Sequence, residues 1–218
     1  MKRTIFLAVG LLVSIVLTGC TPVGTSAANP PSATAPTPQT PAPAVDHDAM
    51  PTRILITAES IQILNDEGIP SQSFTYFQPV ETLVAGLTAL FGVEPVTTPY
   101  AGSAAVDYDW DGFHLGTDGR GQAPFNAESG VRVTAATVHG LAIETVDGIQ
   151  VDDPAAPLEA AHPDSADRWQ FQGSERLEIS IGVVAIPSND GRTFAVKLTA
   201  HPADGAVTQF MAPHKNFE

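Results

Sequence analysis

Residues 53–92 read RILITAESIQILNDEGIPSQSFTYFQPVETLVAGLTALFG, and the hydrophobic period changes partway along them. Ile54 and Ile56, then Ile61 and Ile63, alternate with polar neighbours, the period of a half-buried strand. They run into Asn65-Asp66-Glu67-Gly68, a turn signal. Phe74, Tyr76 and Phe77 predict a second strand. From Pro79 the spacing lengthens: Val80, Leu83, Val84, Leu87, Leu90 and Phe91 share one face of a helix, with proline at its first position and Gly92 just past its end. Such an apolar stripe has to be buried against a sheet.

A second stretch repeats this plan. ITAESI at 56–61 matches VTAATV at 133–138, and the turn Asp66-Glu67-Gly68-Ile69 matches Val146-Asp147-Gly148-Ile149. A helix at Pro79 to Phe91 has a shorter counterpart at Pro154 to Ala161, ended by His162-Pro163. An alternating strand follows each helix, DYDWDGFHL at 107–115 and RLEISIGVV at 176–184. Thr193 to Ala200 and Val207 to Ala212 add strands at the C-terminus. The expectation is an α+β fold, mainly antiparallel sheet with one long and one short helix on one face. It is built from two tandem strand–strand–helix–strand repeats, residues 51–125 and 126–218, standing apart or fused into one domain. In layout alone this is similar to β-lactamase-inhibitor-protein and outer-membrane-assembly lipoprotein folds, and a fold carries no function.

The first fifty residues read differently. Met1-Lys2-Arg3 is a short positive segment, and Ile5 to Leu17 is an apolar run of about 13 residues, short of the roughly 20 that a spanning helix needs. It ends in Leu17-Thr18-Gly19-Cys20, which resembles the lipobox of bacterial lipoproteins at all four positions. The resemblance covers residues 1–20. It implies a signal peptide over 1–19, cleavage between Gly19 and Cys20, and a lipid on the Cys20 sulfur that anchors the chain at the extracytoplasmic face of the cell membrane. Together with an Ala-, Val-, Asp- and Thr-rich composition, the motif resembles the surface lipoproteins of high-GC Gram-positive bacteria. Residues 21–50 are Pro, Ala and Thr with few large apolar side chains, which predicts a linker unable to offset its ordering entropy. Its reach falls between about 30 Å as a coil and about 90 Å as extended polyproline, and its threonines are candidates for O-glycosylation.

The folded part spans 168 residues, enough to bury about 70% of its unfolded surface around one core. The chain carries a net charge of −14, and without Lys2 and Arg3 it has 8 basic against 24 acidic side chains, near −16. That argues against a nucleic-acid partner and against flat association with anionic lipid, both of which need clustered Lys and Arg. The single cysteine, Cys20, is claimed by the lipid, so stability has to come from burial without disulfides.

Chemistry-bearing patterns are few. Asp107, Asp109 and Asp111, with Gly112 and then Asp118, imitate the spacing of a calcium loop. The same letters also read as a strand with Tyr108 and Trp110 toward the core and the acids toward water. Neither His47, His114, His139, His162, His201 nor His214 forms a metal-ligand spacing, and no catalytic serine motif occurs. Gly116, Gly119 and Gly121 read as a connection between the repeats. Among the aromatic side chains, Trp169 is flanked by Arg168 and Gln170 and suits either an edge strand or a binding surface. No cofactor is expected. The functional expectation is a membrane-tethered, non-catalytic binding or interaction module for an envelope protein. The alternatives are a small-ligand-binding lipoprotein, with its pocket between sheet and helices, and an envelope-acting hydrolase that uses two carboxylates.

Overall fold

The computed structural model describes residues 50–117, 127–171, 173–185, 193–201 and 205–216. The leader, Cys20, the linker and Asp118 lie outside them, as do Gly119 and Gly121. The fold is α+β, with two helices and two mostly antiparallel sheets among the described residues. The described residues all fall in one compact unit.

The alternating stretch after Arg53 forms two strands. β1 (Arg53–Ile56) and β2 (Ser60–Leu64) are antiparallel. Between them the Thr57 hydroxyl accepts from the backbone N–H groups of Glu59 and Ser60, a local turn that breaks the run. β3 (Pro70–Thr75) pairs with β2 and holds Phe74, while Tyr76 and Phe77 follow it. Tyr76 is fully buried, and its hydroxyl donates to the Thr57 and Ser60 carbonyls. Helix α1 (Val80–Phe91) begins one residue later than the pattern predicts. It buries Leu83, Leu87 and Phe91, and Gly92 closes it in the left-handed conformation, its N–H donating to the Thr88 carbonyl.

β4 (Val96–Pro99) starts a second sheet that continues through β5 (Val106–Trp110), β6 (Phe113–Thr117) and β7 (Ser129–Val133). Sequence reading expects one strand over 107–115. The structure instead folds it into the β5–β6 hairpin, because Asp111 and Gly112 take φ of 52° and 102°. Asp-Gly is the pair that this tight turn favours. β8 (Thr137–Val138) and β9 (Leu141–Thr145) then return to the first sheet. After α2 (Ala155–Ala161), which ends at His162 as expected, come β10 (Ala166–Phe171), β11 (Ser174–Ala185), β12 (Thr193–His201) and β13 (Ala206–Asn216). The sheets run β3-β2-β1-β9-β8 and β10-β11-β12-β13-β7-β6-β5-β4. Among the described residues only β1 and β9 pair in parallel, Arg53 lying beside Ala142 and Ile56 beside Thr145.

The two matched turns share their hydrogen bonds. Asn65 N–H donates to the Ile69 carbonyl and Gly68 N–H to Asn65, while Thr145 pairs with Ile149 and Gly148 in the same way. The strands that run into them, β2 and β9, both flank β1 in the smaller sheet, whereas the strands before those differ: β1 lies in the smaller sheet and β7 in the larger.

One hydrophobic cluster joins Ile54, Ile63 and Ile143 of the smaller sheet, Leu83 and Leu87 of α1, and Val133, Ile179 and Phe210 of the larger sheet. Phe91 packs on Trp110 and Phe113 at 5.8 and 5.6 Å between ring centres. Burial of each such side chain contributes about 1.5–3 kcal/mol.

Candidate functional site

Alternation gives the larger sheet two faces. Trp110, Phe113, Val133, Phe210, Leu198 and Ile179 lie in one cross-strand row on the core side. The opposite face carries the row Asp109, His114, Arg132, Met211, Lys197 and Ser180. It is polar because these positions are one residue out of phase with the core.

Two ion pairs lie on this face. His114 Nδ1 is 3.3 Å from Asp107 Oδ2 and 3.7 Å from Asp109 Oδ1. Lys197 Nζ is 3.0 Å from Glu178 Oε2. His214 belongs to the second group: burial of its ring, reinforced by Lys197 and opposed by Glu178, pulls its pKa below the ordinary histidine value. Sequence reasoning turns all three loop acids toward water, yet the Asp107 side chain is only 18% exposed because His114 covers it from the neighbouring strand.

The calcium-loop reading meets a different geometry. Asp107 and Asp109 lie in β5 and bracket one imidazole, and the Asp109 carboxylate also accepts from Gly112 N–H at 3.0 Å. Asp111 sits at the hairpin tip, 86% exposed and 3.6 Å from His139. Among the described residues no group of three or more His, Cys, Asp or Glu side chains is arranged to hold a metal. The least exposed carboxylates of these pairs, Asp107, Glu144 and Glu178, each meet a basic side chain, namely His114, Arg53 and Lys197. Trp169 is half-buried on the edge strand β10, with the Arg176 guanidinium 5.8 Å from its ring centre.

Beside the Asp107–His114 pair the same sheet opens into a cavity of about 460 Å³. Its floor is glycine: Gly116 of β6 and Gly130 of β7 are direct cross-strand partners, next to Asp107 in the same row. Ala105, Ala127 and Pro213 supply apolar walls, Thr117 and Ser129 polar ones, and Tyr100, 52% exposed, the rim. Gly116 therefore belongs to a strand rather than to a connection between repeats. A Cβ on it would find only ordinary contacts, the nearest at 3.9 Å from Asp107 Oδ1, whereas one on Gly130 would stand 3.2 Å from the Ala212 carbonyl oxygen. The Thr117 hydroxyl is occupied by the Val106 backbone. Ser129 is 4% exposed: it shares the core-side face with Val131 and Val133, and its buried hydroxyl has no hydrogen-bond partner among the described residues.

This cavity differs from the pocket between sheet and helices that sequence reading expects, since its lining comes from strands and the segments that flank them. None of Tyr100, Ser129 or Gly130 stands out in the sequence, because only strand register brings them together. Comparison with protein-family models, curated proteins and solved structures gives no match to this chain.

Proposed function

We propose that the protein is a lipid-anchored, extracytoplasmic binding module that holds a small ligand in the cavity over Gly116 and Gly130, without catalysing its conversion. The observation that carries the ligand site is the open cavity that Gly116 and Gly130 leave on the polar face of the larger sheet, with Tyr100 at its rim. The volume is within the range of roughly 300–1,000 Å³ common to small-molecule sites.

The location rests on Leu17-Thr18-Gly19-Cys20 behind the apolar run of residues 5–17. A diacylated sulfur holds to a bilayer far more firmly than one acyl chain, each buried CH₂ contributing about 0.8 kcal/mol. The proline-rich segment 21–50 then sets an acidic domain beyond the screening length of about 8 Å from a charged membrane surface.

Two measurements test the proposal. Intact mass of the membrane-extracted protein should give a chain that starts at a diacylated Cys20. A screen of chemically diverse small molecules, read by backbone amide shifts, should give hits that move Gly116, Ser129 and Gly130. Those hits should be weakened in Gly116→Leu, whose side chain would stand on the cavity floor. A mature chain starting elsewhere removes the tether, and hits of unchanged strength in that variant remove the site.

A further inference from the structure

The larger sheet ends at β4, and no strand lies beyond it among the described residues. In an antiparallel pair the N–H and C=O groups of successive residues point alternately toward the partner strand and away from it. Two hydrogen bonds set the phase here. Tyr100 N–H donates to the Ala105 carbonyl, so that pair faces inward, while Val106 N–H turns the other way, to the Thr117 hydroxyl of β6. With Val96 beside Asp109 and Thr98 beside Asp107, the even-numbered residues of β4 therefore bond to β5. Thr97 and Pro99 face outward, and Pro95, just ahead of the strand, continues the same alternation. Proline has no N–H to offer, so Thr97 is the one donor left along this edge.

The edge is of a kind that invites pairing. Val96, Thr97 and Thr98 favour strands and are all exposed, Val96 at 68%, and such an edge is a template for another strand. Charge does not guard it, since residues 95–106 (PVTTPYAGSAAV) contain no Asp, Glu, Lys or Arg. At the opposite end of the sheet β10 carries Asp167 and Arg168, and Arg168 is paired with Glu159 and Glu175. One edge is blunted by charge and the other by proline, two devices that keep edge strands from pairing. The strand that β4 would accept is β4 of a second copy, because the same exposed Val and Thr side chains then meet their like across a two-fold axis.

We infer that Pro95 and Pro99 close β4 to strand addition by a second copy of the chain. Tyr100 follows Pro99 directly, so the same two prolines keep the rim of the cavity uncovered. The closure is independent of what the cavity holds.

The test uses the mature chain with Cys20→Ser, produced without its leader. In sedimentation equilibrium, Pro95→Thr with Pro99→Thr should self-associate about ten- to a hundredfold more tightly than the parent, the equivalent of two regained donors. Thr97 N–H should become protected from hydrogen exchange in that dimer. Adding Val96→Lys should return it to the parent's behaviour, because like charges would meet across the new edge. In the parent, Thr97 N–H should exchange as an exposed amide, whereas Thr98 N–H, turned to Asp107, should be protected at least about tenfold more. Thr97→Pro should leave the thermal melt nearly unchanged and Thr98→Pro should lower it, which keeps the test available if the double variant does not fold. A double variant that associates no more than the parent overturns the inference. Equal protection of Thr97 and Thr98 in the parent, or a Thr97→Pro melt lowered as far as that of Thr98→Pro, overturns it as well.

Discussion

Gly116 and Gly130 face each other across β6 and β7, and their missing side chains form the floor of the cavity. The two positions are not equivalent. A side chain at Gly116 would enter open space, whereas one at Gly130 would press on the Ala212 carbonyl. The first glycine can thus be changed to probe the site, and the second cannot be changed without disturbing β13.

Ser129→Ala should not destabilise the ligand-free protein. Its hydroxyl has no partner, so removal relieves a buried unsatisfied group instead of breaking a bond. Urea denaturation should give an unchanged stability or a gain of up to about 1 kcal/mol. A loss larger than that would mean the hydroxyl is hydrogen-bonded in solution.

Helix α1 carries a glycine for a packing reason. A Cβ on Gly86 would stand 2.3 Å from the Phe74 ring, which is itself buried. Alanine is the better helix former by about 1 kcal/mol, yet Gly86→Ala should be destabilising by about 1–3 kcal/mol through overpacking. Adding Phe74→Leu should recover part of that loss in a double-mutant cycle of denaturation midpoints. Simple stabilisation by Gly86→Ala would contradict the packing seen here.

The β5–β6 turn makes a separate claim. Gly112 has φ of 102°, and a Cβ there would meet that of Ala135 at 3.0 Å. Gly112→Ala should therefore cost at least about 1–2 kcal/mol from the left-handed backbone alone. Asp111→Asn should be nearly neutral, since asparagine accepts the same conformation. Thermal melts of the two variants, compared with the parent, check both statements.

Stability should fall on mild acidification through His214. Its folded pKa lies below the ordinary value because burial and Lys197 both disfavour the cation. The unfolded chain consequently takes up the proton first as the pH drops. The contribution of this residue is complete above about pH 6.5 and is lost as the pH falls toward the folded pKa. His214→Gln should flatten that part of the curve in urea titrations between pH 8 and pH 5. An unchanged slope in the variant would assign the effect to other groups.

Local signals in the sequence account for much of this architecture. The 80–91 helix, its glycine stop and the 65–69 turn rest on contacts within a few residues, where spacing and turn chemistry decide the outcome. The same holds for the short helix before His162. The parallel pairing of β1 with β9 joins residues about ninety positions apart, and no local pattern encodes it. Asp111-Gly112 was legible as a hairpin turn, but the alternation on both sides of it reads equally well as one strand. The cavity was hidden for a third reason. Gly116 resembles its neighbours Gly119 and Gly121 in sequence, and only the register of β6 against β7 sets it opposite Gly130.

The most direct measurement is a crystal structure of the mature chain at a resolution that shows ordered solvent and small molecules, soaked with a hit from the amide-shift screen. The expected result is density over Gly116 and Gly130, in contact with Tyr100 at the rim. A cavity closed by neighbouring side chains, or ligand density elsewhere and none over these glycines, would contradict it.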